Sequence, residues 1–199
     1  MKVKEALKIT DSFTRTSKMP GLSYSLPAWA CQTGSKLRKV KTSPCYGCYA
    51  LKGNYTRYPA IREAQYRRLD AIKHPLWVEA MATKIRNQKW FRWHDAGDLQ
   101  SLEHMYKIIE ICKLTPNTQH WLPTQERQYL PKPEDVPANL IIRLSAAKVN
   151  GTAGNAWTHS STVVTDQSPS CPAPTQGGQC LDCRACWDKD IKNISYGKH

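Results

Sequence analysis

The sequence predicts an α/β protein, a single domain built as a partial or irregular βα barrel-like sheet with cysteine-rich loops at one end. Three observations lead there. Strand-like and helix-spaced apolar patterns alternate through the first half of the chain, which is the signature of βα units on a parallel sheet. A hydrophobic fraction of 40% with seven tryptophans supplies a 199-residue chain with enough large apolar groups for a packed body, and argues against disorder. Seven of the eight cysteines fall into two groups, Cys31, Cys45 and Cys48, then Cys171, Cys180, Cys183 and Cys186. We divide residues 1–199 into a βα-like body, 1–168, and a C-terminal cysteine-rich segment, 169–199.

Taken in order, residues 1–20 are polar and basic and end in Pro20-Gly21, which is turn chemistry. Residues 22–30 read as a short strand broken by Pro27, with Cys31 just past its end. Gln32 to Ser43 reads as a basic loop, and Cys45-Tyr46-Gly47-Cys48 as a turn. Pro59 opens a helix, a position that suits its fixed φ and missing N–H. Ile61, Ala64, Leu69 and Ile72 recur on one face of that helix at helical spacing. Pro75 begins a second helix, with Trp77, Met81 and Ile85 aligned. Residues 89–94 form a buried strand leading into Asp95-Ala96-Gly97-Asp98. A third helix starts near Ser101, and its face of Leu102, Met105, Ile109 and Cys112 makes Cys112 a core thiol, outside the metal sets. Further strands are expected at 119–123, 140–144 and 161–165, with Pro-rich loop at 131–137. No helix is expected after about residue 115. Residues 169–179 form the loop that delivers the last cysteines, and 191–199 a terminal strand. The strand C-termini then share one face, near which Cys31, His94, Asp95, Gln125, Arg143 and Asp166 gather.

No apolar run approaches the ~20 residues that span a membrane, and no apolar segment follows the basic start as in a signal peptide. A chain kept in a reducing compartment uses clustered thiols as metal ligands more than as disulfides. The formal net charge of +13 favours nucleic acid or other polyanions, and a host protein is the other expected partner; no membrane is expected. The lysines and arginines are spread along the chain, so a scattered basic surface is the plain alternative.

Cys180, Cys183 and Cys186 make a C-x2-C-x2-C run, with Cys171 upstream. Four thiolates around one zinc lie only about 3.8 Å apart, at Zn–S ≈ 2.3 Å. Two sulfurs of one C-x2-C turn reach that spacing and three from consecutive turns are strained. The run suits a [4Fe–4S] cluster, with zinc, a structural staple or a redox pair as alternatives. Cys31, Cys45 and Cys48 supply three ligands. Such a site leaves one iron of a cubane open, unless Cys171, a histidine or a carboxylate closes it.

Three cysteines beside the first strand of a βα body resemble the arrangement in radical S-adenosylmethionine enzymes. The resemblance implies an open-site cluster, S-adenosylmethionine as co-substrate and an auxiliary cluster on the C-terminal four. The spacing departs from the C-x3-C-x2-C of those enzymes, since thirteen residues separate Cys31 from Cys45. Gly47 stands where they carry an aromatic residue, and His94-Asp95-Ala96-Gly97-Asp98 takes the place of their Gly-Gly-Glu.

A closer resemblance covers about nine tenths of the chain. Ser17-Lys18-Met19-Pro20-Gly21, Cys31 with Thr33-Gly34, and Cys45-Tyr46-Gly47-Cys48-Tyr49-Ala50 followed by Lys52-Gly53-Asn54-Tyr55 carry it. So do Arg92 to Asp98, Trp121-Leu122-Pro123-Thr124, Arg143-Leu144-Ser145, Cys180, Cys183, Cys186-Trp187 and Tyr196 to His199. Together they resemble the "gene product 88" family of bacteriophage proteins. The resemblance implies a phage protein acting in the host cytoplasm and implies no reaction.

Among polar candidates, His94 and Asp95 follow a strand as a general base and its orienting carboxylate would. Asp98 is either a cofactor contact or, like Ser101, a helix cap. Lys52 and Tyr55 are candidates for the cofactor pocket. Arg57, Arg62, Arg67 and Arg68 suit phosphates or a solvated helix face. His199 is given no role. The expected function is therefore an iron–sulfur enzyme with one or two [4Fe–4S] clusters. The alternative is a non-enzymatic phage factor with a structural or redox-sensing iron–sulfur or zinc site that binds host nucleic acid or protein.

Overall fold

Seven strands lie side by side in the order in which the chain makes them. The computed structural model describes residues 1–198. It places β1 at Thr14–Arg15, β2 at Leu22–Tyr24, β3 at Trp90–Trp93, β4 at Gln119–Thr124, β5 at Leu140–Ser145, β6 at Ser160–Val164 and β7 at Asn193–Gly197. Only β1 runs antiparallel to its neighbour; β2 to β7 are parallel throughout. The sheet is not closed, and β1 and β7 are its edges. The α/β class and the strand positions expected from the sequence hold, and the βα barrel becomes an open sheet.

Among the described residues six helices accompany it: α1 Val3–Thr10, α2 Gln32–Leu37, α3 Asn54–Arg57, α4 Pro59–Ala71, α5 Trp77–Ile85 and α6 Leu102–Leu114. Beyond residue 115 only short 3-10 turns occur among the described residues, as expected. Pro59 is the first residue of α4, and the Ser101 hydroxyl caps α6 by accepting from the His104 N–H at 3.0 Å. Three expectations need correction. The basic stretch after Cys31 begins as helix α2, held from outside by Glu126. Residues 3–10 are helical because Ala6 and Thr10 find a buried seat, which composition does not reveal. On α4 the buried positions are Gln65, Arg68 and Ala71, whereas Ile61 is exposed. Arg68 turns inward because its guanidinium donates to the Ser12 carbonyl at 2.8 Å.

The two faces of the sheet differ in what covers them. Tyr24, Phe91, Trp93, Leu122 and Ile142 pack in one cluster with Trp77, Met81 and Ile85 of α5 and Met105, Ile108 and Cys112 of α6. Burying each such side chain contributes roughly 1.5–3 kcal/mol. Cys112 is fully buried there, a core thiol as expected. On the opposite face, alternate residues pair across the strands: Arg92 with Trp121, Pro123 with Arg143, Ser145 with Ser161, Val163 with Tyr196. Here the cover is the cysteine-bearing segments. No helix among the described residues is long and apolar enough to cross a membrane.

Candidate metal centres

The two cysteine groups line two separate hollows on that second face. Cys31, Cys45 and Cys48 border a cavity of about 210 Å³ at the C-terminal ends of β2 to β5. Cys171, Cys180, Cys183 and Cys186 border a smaller hollow of about 20 Å³, closed by Trp187 and Ile194. All eight cysteines are free of disulfides.

Cys31 sits between a 3-10 turn, Ala28–Ala30, and the start of α2. What fixes that junction is Glu126, fully buried beyond β4. Its carboxylate accepts from the backbone N–H groups of Gln32 (3.0 Å) and Thr33 (2.8 Å), from the Thr33 hydroxyl (2.6 Å) and from the Gln128 amide (2.8 Å). Two free N–H groups of a helix start thereby meet a negative charge, a favourable pairing. No local pattern near Glu126 signals this role, because its partners lie some ninety residues away. The Cys45–Cys48 turn is set by the Ser43 hydroxyl, which accepts from the Cys45 N–H at 3.1 Å, and by Gly47 at φ +74°. Gly34 lies between the two segments: a Cβ there would stand 3.8 Å from the sulfurs of both Cys31 and Cys45. Its missing side chain keeps space open between two candidate ligands.

Asp95 is engaged in holding this wall. It accepts from the hydroxyls of Ser23 (2.5 Å), Ser25 (2.6 Å) and Tyr55 (2.9 Å), and its carbonyl accepts from the Tyr49 hydroxyl. The carboxylate ties β2 to the cysteine loop and does not reach His94 as an orienting partner. Tyr55 thus stands behind the loop, outside the cavity lining. Lys52 is exposed, with its ammonium over Gly47.

His94 lines the cavity in a left-handed backbone conformation, φ +59°, uncommon for a side-chain-bearing residue. Its Nδ1 lies 3.1 Å from the Tyr24 carbonyl, so Nδ1 carries the proton and Nε2 is a buried lone pair with no partner. Burial lowers its pKa to about 4, which keeps it neutral. Asp98 accepts from Leu99 N–H (2.8 Å), the Thr124 hydroxyl (2.6 Å) and Gln125 N–H (2.8 Å). Burial nevertheless raises its pKa to about 7. A carboxyl that titrates near neutrality in a cavity wall suits proton transfer, and it does not cap α6.

Gly97 makes this wall possible. It adopts φ +80°, and a Cβ there would lie 2.5 Å from the Leu26 Cβ and 2.8 Å from the Leu26 carbonyl oxygen. Gly97→Ala is expected to cost about 2–3 kcal/mol through strain and collision, read as a lower urea midpoint. An unchanged midpoint would refute the close approach.

The second hollow hangs on Arg143. This fully buried side chain donates to four carbonyls of the C-terminal segment: Cys186 (3.1 Å), Ala185 (3.0 Å), Asp188 (2.8 Å) and Ile191 (2.9 Å). Sequence alone places Arg143 at the strand ends beside Cys31; instead it reaches out from mid-strand to shape the cysteine loop. Asp166 is exposed and lines neither hollow. Cys171 and Cys180 are placed by backbone bonds, Cys171 N–H to the Ser195 carbonyl (3.0 Å) and Cys180 N–H to the Lys18 carbonyl (2.8 Å). The Cys186 sulfur lies 3.3 Å from the Tyr196 hydroxyl.

Burial raises the Cys31 thiol and pushes Cys45 and Cys186 up to about 11. Without a metal these groups stay protonated, and a bound cation is what ionises such thiols. Among the described residues no three His, Cys, Asp or Glu side chains close on one point as ligands of a single ion. The cavity beside Cys31 has room for a larger group between its sulfurs. The C-terminal hollow has room for one water-sized sphere, so a cluster there needs the four sulfurs to spread. His199 lies outside the described residues.

A family model described as Gene product 88 matches residues 2–189. No curated protein and no solved structure matches the chain.

Proposed function

From a chain that belongs to the Gene product 88 family of bacteriophage proteins, we propose an iron–sulfur protein acting in the host cytoplasm, with an open-site [4Fe–4S] cluster on Cys31, Cys45 and Cys48. One observation carries this reading: three cysteines from two separate segments line one cavity, together with His94, Asp95 and Asp98. Such a cluster, when bound, supplies an iron with a free coordination position. Around it the chain's own groups divide the work. Glu126 and Ser43 fix the two ligand segments. Asp98 holds or releases a proton near neutral pH. His94 presents neutral imidazole in the wall. S-adenosylmethionine is the co-substrate under this radical-enzyme reading. Cys171, Cys180, Cys183 and Cys186 hold an auxiliary cluster or, given the size of their hollow, zinc.

A second reading is a non-enzymatic factor that binds host nucleic acid or protein. It is favoured by Lys36, Lys39 and Lys41, all exposed on the segment between Cys31 and Cys45. The test is anaerobic purification with iron, sulfide and zinc analysis and EPR. About four irons with matching sulfide, lost in Cys31→Ala and retained in Cys183→Ala, support the cluster reading. Cleavage of S-adenosylmethionine to 5′-deoxyadenosine by the reduced protein supports the enzyme. Zinc without sulfide sinks both, and salt-sensitive nucleic-acid binding without turnover favours the factor.

A further inference from the structure

Positive residues are spread along the chain, but negative ones are not. Between residues 12 and 62 the sequence holds nine lysines and arginines and no aspartate or glutamate, so this stretch supplies most of the net charge of +13. Part of it borders the mouth of the Cys31 cavity. Gly34, Arg38, Pro44 and Tyr49 line the cavity, and Lys39, Lys41 and Lys52 stand exposed on the same segments. The Lys52 ammonium lies over the cysteine turn, 3.6 Å from where a Gly47 Cβ would be. The Thr42 carbonyl accepts from the Val149 N–H at 2.7 Å, which brings the loop of the exposed Lys148 to the same rim. None of these cations forms an ion pair among the described residues. Asp95 and Asp98 of the cavity wall, and Glu126 behind Cys31, are buried and already accept from hydroxyl and N–H groups.

Aromatic rings stand among these cations. Trp29, Tyr46, Tyr49 and Tyr58 are each between 42% and 48% exposed, and they are four of the six exposed aromatic side chains among the described residues. A single exposed ring is ordinary; four in one acid-free stretch form a pattern. Tyr46 stands on the cysteine turn beside Gly47, over which the Lys52 ammonium lies. The Tyr49 ring is held in the cavity lining by its hydroxyl, which donates to the Asp95 carbonyl, and by edge contact with Tyr55 at 5.8 Å. Trp29 is on the turn just before Cys31, and the Arg57 guanidinium carbon lies 5.9 Å from the Tyr58 ring centre. Rings beside unpaired cations suit a strand with unstacked bases, whose bases lie on the rings while its phosphates meet the lysines. A duplex keeps its bases inside, and an acidic peptide brings carboxylates without flat groups to stack.

We propose that the acid-free rim of the Cys31 cavity binds single-stranded nucleic acid, DNA or RNA. The backbone runs along Lys39, Lys41 and Lys52, and bases stack on Tyr46 and the neighbouring rings. The proposal narrows the nucleic-acid reading given above and rests on it, and it holds with or without a cluster in the cavity.

The test is fluorescence anisotropy of short labelled oligo(dT) and oligo(U) strands and of a DNA duplex of the same length, with the full chain at stepped salt and polyglutamate as competitor. The expected result is that dT, U or both bind about tenfold or more tighter than the duplex, which offers no base to stack; the two strands tell DNA from RNA. Tyr46→Ala is expected to weaken strand binding by about 5- to 150-fold at an unchanged salt slope, and Tyr46→Phe to keep it. Replacing Lys39, Lys41 and Lys52 together by glutamine is expected to flatten the slope of log affinity against log salt by about two. Lys8→Gln with Lys113→Gln, at exposed sites on α1 and α6, is expected to change neither. A duplex bound as tightly as the strands, or a Tyr46→Ala protein that binds like wild type, overturns the single-strand assignment and leaves the nucleic-acid reading standing. Polyglutamate that displaces the strands at equal charge gives the rim to acidic proteins and overturns it too. No binding of any nucleic acid overturns both, whatever iron the protein holds.

Discussion

Below about pH 6 the folded chain is expected to lose stability steeply as acid is added. His94 and His120 are held neutral by burial, with pKa values of about 4 and about 3, and burial lowers His104 well below its usual range. In the unfolded chain each titrates near 6.5. Between those limits the unfolded state binds three more protons than the folded state, so stability rises with pH and falls with acid. Asp98 works in the opposite sense: its folded pKa of about 7 means that the native state takes up a proton on acidification that the unfolded chain refuses until about 4. The net difference of about two protons corresponds to roughly 2.7 kcal/mol per pH unit between about pH 6 and 4. That is a large share of an ordinary domain's stability. Urea unfolding at pH 7, 6 and 5 measures it. His120→Gln should lower the slope by about one proton, and a flat profile would refute the neutral burial of these rings.

Replacing Arg143 by methionine is expected to be the most damaging single change in the second half of the chain. It keeps much of the apolar stem but leaves four carbonyls between Ala185 and Ile191 without their donor. Hydrogen bonds to a charged group are worth about 1.5–3 kcal/mol each, and partners left bare add their desolvation. These terms overlap, because all four belong to one side chain. The expected loss is about 3–5 kcal/mol. Hydrogen exchange should show it first in residues 180–197, where the cysteine loop and β7 lie. Protection unchanged in that segment would show that the loop holds itself without the arginine.

The strands and α4 to α6 were legible because periodicity and punctuation act locally: Pro59 at a helix start, alternation through 90–93, a Gly- and Pro-rich loop before the last cysteines. The cysteine grouping was legible for the same reason, since the spacing of cysteines is a sequence property. What escaped was set by distant partners. Glu126 turns the stretch after Cys31 into a helix from across the sheet, and Arg68 is buried because a carbonyl beyond α1 receives it. Asp95 reads as half of a catalytic pair, yet three hydroxyls from two other segments claim its oxygens. Arg92 opens a motif that runs to Asp98, yet its place over the Trp121 ring exists only after β3 and β4 have met.

The unbroken strand order bears on how the protein is made. Each new parallel strand adds to the outer edge of the one before it, so during synthesis the sheet can be extended one rung at a time from its N-terminal side. The first three cysteines can then be seated as soon as β2 to β4 and Glu126 have left the ribosome. The last four wait for β7, because Cys171 is hung on the Ser195 carbonyl of that strand. The two cysteine groups are thereby placed in order: the first cavity is complete before its neighbour exists, and the final strand acts as the latch on the second group.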